Sequence, residues 1–307
     1  MGALDFGDPN RPVDIVFSHA NGFNARTYRS ILAPLAVRHR ILAVDLRGHG
    51  RSTLPTHAAG RSTWTDIAED LLALVEAVDS RTVVLAGHSM GGTASLLAAH
   101  MAPDRVRALV LFEPVILSRE SAEQARKGPI NSPLADGARR RRTTFASRQE
   151  ALETYRGRGV FKSLSDAQLE DYVADAFRER PEGGVELACS PEWEVSNFVS
   201  HGHDSWSALL ASGPPVRILW AEHGSTCASI RSARPIQGSG RMAFTQSAKL
   251  EMKPRSSFTC CSPTQRVGMT RPVESVRVWP KIVSAMKMPL AWWRSARCRK
   301  SAVIDFE

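Results

Sequence analysis

The stretch Thr82-Val-Val-Leu-Ala-Gly87-His-Ser-Met-Gly91-Gly-Thr-Ala94-Ser-Leu-Leu-Ala-Ala-His-Met101 decides the fold. An apolar β-rich run leads into Gly-x-Ser-x-Gly, and a helical pattern follows until Pro103 stops it. The pentapeptide alone is a weak signal, and on its own would pass for an ordinary Gly-rich turn. Between a strand and a helix it becomes specific. A serine there sits on a tight, strained turn, so the residues two positions to either side must be small. Its oxygen then projects from the carboxyl end of a sheet, above a helix N-terminus whose dipole favours developing negative charge.

Working outward, four more apolar runs read as strands: Val13–His19, Ile41–Asp45, Ala108–Phe112 and, after Gly213-Pro-Pro, Val216–Trp220. Near-continuous apolar strands suit a parallel sheet covered on both faces, with helices as the crossovers. Ile67, Leu71, Leu74, Val75 and Val78 recur at helical spacing, and Thr63 with Asp66 fits a capping box. Residues 115–205 break this cadence. Ser147-Arg-Gln-Glu150 and Ser165-Asp-Ala-Gln168 each open a helix, the second carrying Leu169, Tyr172, Val173 and Phe177 on one face. The pattern predicts an α/β core over 1–117 and 205–228, and an all-helical cap over 118–204. No internal repeat, phosphate loop or metal-spaced His/Cys cluster is present, so neither cofactor nor metal is expected.

Three further segments fall at expected strand ends: Ser18-His-Ala-Asn-Gly-Phe23, Asp45-Leu-Arg-Gly-His-Gly-Arg-Ser52 and Leu111-Phe-Glu-Pro114. With Gly87-His-Ser-Met-Gly-Gly92 they resemble, over residues 12–227, the α/β-hydrolase family and its capped, esterase-like serine hydrolases. The resemblance implies a mostly parallel sheet with crossover helices and a helical cap. It implies Ser89 as nucleophile toward an ester-like acyl bond, a histidine base, and an acid orienting that histidine. The oxyanion hole would use the backbone N–H groups of Met90 and Asn21. Ala20 stands where glycine is commoner in relatives. His88 reads as structural, and His19 and His49 as residues that shape loops. The acid is open. Glu222 is the carboxylate of the loop Ala221-Glu-His-Gly-Ser-Thr-Cys227, where relatives place an aspartate. Glu113 ends the preceding strand, where other relatives place the acid, although an acidic residue before proline also suits a purely structural role.

The chain's 307 residues carry a net charge of +9, but not evenly. Residues 229–307 hold 15 Lys+Arg against 4 Asp+Glu, while the first 228 hold 25 against 27. All nine histidines precede residue 229, so the histidine that relatives carry near the end of the fold is missing. Three readings of the basic segment 229–307 are open: an out-of-frame product, a basic appendage for nucleic acid or acidic lipid, and a divergent ending. Arg139-Arg-Arg-Arg142 reads as a solvated cap face rather than a nucleic-acid site. Five irregularly spaced cysteines, no apolar span and no leader pattern predict a cytoplasmic protein with a small-molecule substrate. Two other functions share this sequence pattern: a catalytically inactive binding protein, and an acyltransferase or perhydrolase on the same site.

Overall fold

A computed structural model describes residues 1–78, 80–221, 224–227, 229–232 and 242–246. Seven strands form one sheet in the order β1 (Gly2–Phe6), β3 (Ile41–Asp45), β2 (Ile15–Ser18), β4 (Val83–His88), β5 (Val106–Phe112), β9 (Val216–Trp220) and β10 (Met242–Gln246). β1 runs antiparallel to β3, and every other pair is parallel. The five predicted strands are all present. Their apolar continuity has a direct cause, because alternate residues enter two separate apolar layers. Val16, Val44, Leu85, Leu109, Leu111 and Ile218 face one layer. Ile15, Phe17, Ile41, Ala43, Val84, Ala86, Val110 and Leu219 face the other.

The two edge strands were not legible in the sequence. β1 is half-buried at alternate positions and exposed between them, and β10 is a five-residue run inside the basic segment. β10 pairs with β9 from Met242 opposite Val216 to Gln246 opposite Trp220, so the sheet continues past residue 228. Glu222, His223, the alternating run 271–279 and, apart from 229–232 and β10, the basic segment lie outside the described residues.

The first layer is closed by α2 (Thr65–Ala77), α3 (Met90–Met101) and α9 (Ser205–Leu210), and the second by α1 (Arg29–Leu32) with the 3₁₀ turn Ala25–Tyr28. The capping box expected at the start of α2 does not form. Trp64, whose indole carries no acceptor, is the N-cap in place of Thr63, and the Asp66 carboxylate pairs with Arg61 at 2.7 and 3.0 Å.

Between β5 and β9 lie α4 (Arg119–Lys127), α5 (Pro133–Arg139), α6 (Arg148–Tyr155), α7 (Asp166–Ala176) and α8 (Pro191–Val199). This insert is not all-helical. β6 (Thr144–Phe145), β7 (Phe177–Glu179) and β8 (Val185–Leu187) form an antiparallel sheet in the order β6-β8-β7. Phe177, expected on the helix face, instead opens β7, and strands of two or three residues are too short to show periodicity. Ser165 and Gln168 form the full capping box of α7. Ser147 caps α6, but the Glu150 carboxylate turns to the Ala146 N–H at 2.7 Å instead of completing a box. Phe145, Leu152, Phe161, Leu169, Tyr172 and Val185 give the insert its own apolar cluster.

The arginine run is not uniformly solvated, contrary to expectation. Arg139 and Arg142 are exposed, whereas Arg141 is largely buried, pairing with Glu194 at 2.6 Å and donating to the Tyr172 hydroxyl at 2.7 Å. Its partners are 31 and 53 residues away in the chain. A short polar run does not betray such a partnership. No helix among the described residues is long and apolar enough to cross a membrane.

Candidate active site

Ser89 leaves β4 and caps α3 with φ 53° and ψ −119°, a conformation that L residues rarely adopt. Two main-chain bonds hold it there. Its N–H donates to Phe112 O at 2.9 Å, and its carbonyl accepts from Thr93 N at 3.0 Å. The flanking glycines are obligatory for the reason inferred from the sequence. A Cβ on Gly87 would meet the Gly91 carbonyl carbon at 2.5 Å, and one on Gly91 would collide with the Ser18 and His19 carbonyls. The turn therefore lets β4 and α3 lie against the end of β2 while lifting Ser89 into a partly exposed position.

The loop after β2 faces this turn and is anchored on every side. The Tyr28 oxygen accepts from the Ala20 N–H at 3.3 Å, and the Tyr28 hydroxyl is hydrogen-bonded to His88 Nδ1 at 2.7 Å. His19 Nδ1–H donates to Ala20 O at 2.8 Å, while its Nε2 accepts from Leu46 N at 3.0 Å. His49 Nδ1–H donates to Arg47 O at 3.0 Å, and its Nε2 accepts from Gly22 N at 3.1 Å. For His19 and His49 these partners fix one neutral tautomer each. Burial holds all three imidazoles below their ordinary range, His88 at about 4. The three rings thus tie loops together. Among the described residues no imidazole is hydrogen-bonded to Ser89.

Asn21 and Met90 sit on the two segments expected to supply oxyanion donors, the loop after β2 and the first position of α3. The Met90 N–H belongs to the first helical turn, whose amides lack intrahelical acceptors. The Asn21 side chain is committed elsewhere, its Nδ2 donating to Glu194 O at 2.9 Å and its Oδ1 accepting from Asn197 Nδ2 at 3.0 Å.

Glu113 follows β5 and also has positive φ, at 48°. Its carboxylate clamps the loop after β9. Oε1 accepts from Ala221 N and, at 3.0 Å, from Ser225 Oγ; Oε2 accepts from Thr226 N at 3.2 Å. Burial raises its pKa, opposed by those three bonds. Among the described residues Oε2 has a single donor, Thr226 N–H.

Asn197, Tyr28 and Arg61 meet this region without having been singled out in the sequence. Asn197 lies 176 residues from Asn21, and its amide has no distinguishing local pattern. Among the described residues no group of three His, Cys, Asp or Glu side chains is placed to hold a metal ion.

A parallel sheet covered on both faces, with a strained serine between strand and helix at its carboxyl edge, defines the class of nucleophile-elbow folds. The chain belongs to the alpha/beta hydrolase family, whose match runs over residues 15–255 and so past the point where the sequence resemblance was drawn to end. It is 36% identical over 109 residues to a haloalkane dehalogenase from Agrobacterium fabrum, covering 36% of this chain and 35% of that protein. It is 38% identical over 98 residues to the dihydrolipoyllysine-residue acetyltransferase component of the acetoin cleaving system of Pseudomonas putida, covering 32% of this chain and 26% of that one. These matches therefore span only about a quarter to a third of the relatives' lengths. The crystal structure of E-2-(acetamidomethylene)succinate hydrolase has the same fold, with TM-score 0.62, 19% identity, and coverage of 80% of this chain and 86% of that one.

Proposed function

We propose that this chain is a serine hydrolase acting on an ester-like acyl bond through an acyl-Ser89 intermediate. The observation that carries the reading is the positive-φ turn that lifts Ser89 between β4 and α3. Strain of this kind persists only where surrounding structure over-determines it, and it clusters at reactive positions. The substrate carbonyl oxygen would lie against the Met90 and Asn21 N–H groups as negative charge develops on it. Ser89 Oγ would add to the carbonyl carbon and lose its proton to a base. The alcohol would leave with a proton, and water would then release the acid and regenerate the hydroxyl. The carboxylate that orients a base would be Glu113 or Glu222.

A second reading has its own support. No imidazole is bonded to Ser89 among the described residues, and no histidine follows His223 in the sequence. Without a base, the same serine turn and its amides would bind a carbonyl ligand and turn it over poorly. An acyltransferase or perhydrolase would use the same serine. Intact-mass measurement after incubation with an alkyl fluorophosphonate tests the first reading. One adduct on Ser89, absent in Ser89→Ala, supports it. An unmodified wild-type protein, even with added imidazole, overturns it in favour of a binding protein.

A further inference from the structure

We infer that Asn197, on α8 of the insert, is a positioning residue that fixes Asn21 and thereby the Asn21 N–H; its kinetic part rests on the serine-hydrolase reading above. The side chains form a directed chain. Arg61 donates to Asn197 Oδ1, Asn197 Nδ2 donates to Asn21 Oδ1 at 3.0 Å, and Asn21 Nδ2 donates to Glu194 O at 2.9 Å. Its direction follows from the chemistry of its ends. A guanidinium can only donate and a backbone carbonyl can only accept, so both amides have one allowed orientation. A flip of either would set like groups face to face.

The His49 ring does not compete for this role. Its Nε2 lies 3.2 Å from Asn21 Oδ1 but is an acceptor, already filled by the Gly22 N–H. Asn197 is thus the donor that satisfies Asn21 Oδ1. It is fully buried, and Asn21 is nearly so, which makes an unmet bond costly and the geometry sharply defined. Arg61 is itself immobilised by the bidentate Asp66 pair and by stacking over Trp193 at 4.3 Å. Trp193 belongs to α8 and donates to Arg47 O at 2.8 Å. The insert helix and the loop after β2 therefore move as one unit, and the register of α8 sets where the oxyanion donor points.

Asn197→Asp tests this, because it keeps the shape and the Arg61 contact but places an oxygen opposite Asn21 Oδ1. Hydrogen exchange of the 19–24 segment should accelerate about tenfold, as expected on losing one buried hydrogen bond, with residues 83–101 unchanged. Phosphonylation of Ser89 should slow by about 10- to 100-fold, the scale of a small misplacement, while the saturating probe concentration stays constant. In an Asn21→Ala background, Asn197→Asp should add nothing further. Unaltered exchange at 19–24, or a full additional effect in Asn21→Ala, would overturn the assignment. Should Asn197→Asp fail to fold, Asn197→Ala measured in the same two backgrounds decides it. If wild-type Ser89 is not labelled at all, the hydrolase reading falls, whereas the exchange comparison still decides the link between Asn197 and Asn21.

Discussion

Ser89 and Glu113 stand one step beyond the paired residues His88 and Phe112 on adjacent parallel strands, and among the described residues they are the two non-glycine positions with positive φ. A single main-chain bond, Ser89 N–H to Phe112 O, joins the two bends. Each such residue costs on the order of 1–3 kcal/mol. Two of them side by side at the carboxyl edge of the sheet mark the place where fold stability has been given up for geometry.

Ser89→Gly should therefore raise the urea midpoint while abolishing reaction with acyl esters and fluorophosphonates. Relief of the backbone strain outweighs the larger entropy of glycine in the unfolded chain, leaving a net gain of about 1 kcal/mol. Ser89→Ala removes the same chemistry but keeps the strain, so its midpoint should match wild type. Equal midpoints for the Gly and Ala variants would show that the turn is unstrained.

Glu113→Gln separates a structural clamp from a catalytic acid. The Gln amide can still accept from Ala221 N and Ser225 Oγ, but its NH₂ then faces the Thr226 N–H. A loss of about 1–3 kcal/mol is expected for the unmet pair, read by denaturant titration. The Ser89 labelling rate should change by less than about tenfold, because no described imidazole awaits orientation. A fall on the order of 10⁴-fold, as when a triad loses its acid, would instead identify Glu113 as that acid and reveal a working base.

Stability should fall steeply as the pH drops below neutrality. His88, His201 and His203 are buried, and burial lowers their pKa values to about 4, 4 and 3 from 6.5. The unfolded chain takes up protons below 6.5 that the native state refuses, so stability is complete above that value and is lost as pH falls toward the folded pKa values. Each ring contributes about 2 kcal/mol of loss between pH 7 and 5. His203 stacks on Trp64 at 4.8 Å, and the nearby Arg61 charge adds to burial in disfavouring its protonation. His203→Gln should remove roughly one third of the pH dependence contributed by these three histidines. Denaturation at the two pH values measures it, and an unchanged difference would count against a neutral buried His203.

How much of this was legible in the sequence depended on the range of the interactions. The elbow was readable because its constraints are local: Gly87, Ser89 and Gly91 lie within five residues, and the strand and helix flank them. The central strands were readable because burial on both faces leaves a continuous apolar run. The edge strand β1 and the small sheet of the insert gave no such run. Arg141 looked like its exposed neighbours Arg139 and Arg142, since only the fold brings Glu194 and Tyr172 to it. Asn197 and Tyr28 were silent for the same reason, each acting on a loop remote in the chain.

The remaining prediction concerns the base. His19, His49 and His88 each spend both or one of their nitrogens on loop contacts, and His223 lies outside the described residues. Without a base the Ser89 hydroxyl stays protonated near neutral pH and attacks poorly. The elbow and its amides alone should leave a residual acceleration of roughly 10³–10⁴ over water, well short of an intact enzyme with kcat/KM of about 10⁴ M⁻¹s⁻¹ or more. Hydrolysis of p-nitrophenyl acetate should accordingly be weak and unaffected by His223→Ala, and Ser89→Ala should form no acyl-enzyme. Added imidazole should accelerate the wild-type reaction beyond its effect on the ester alone, because a free ring can enter the position that no described side chain fills. Full activity without imidazole, lost in His223→Ala, would make His223 the base and reverse this conclusion.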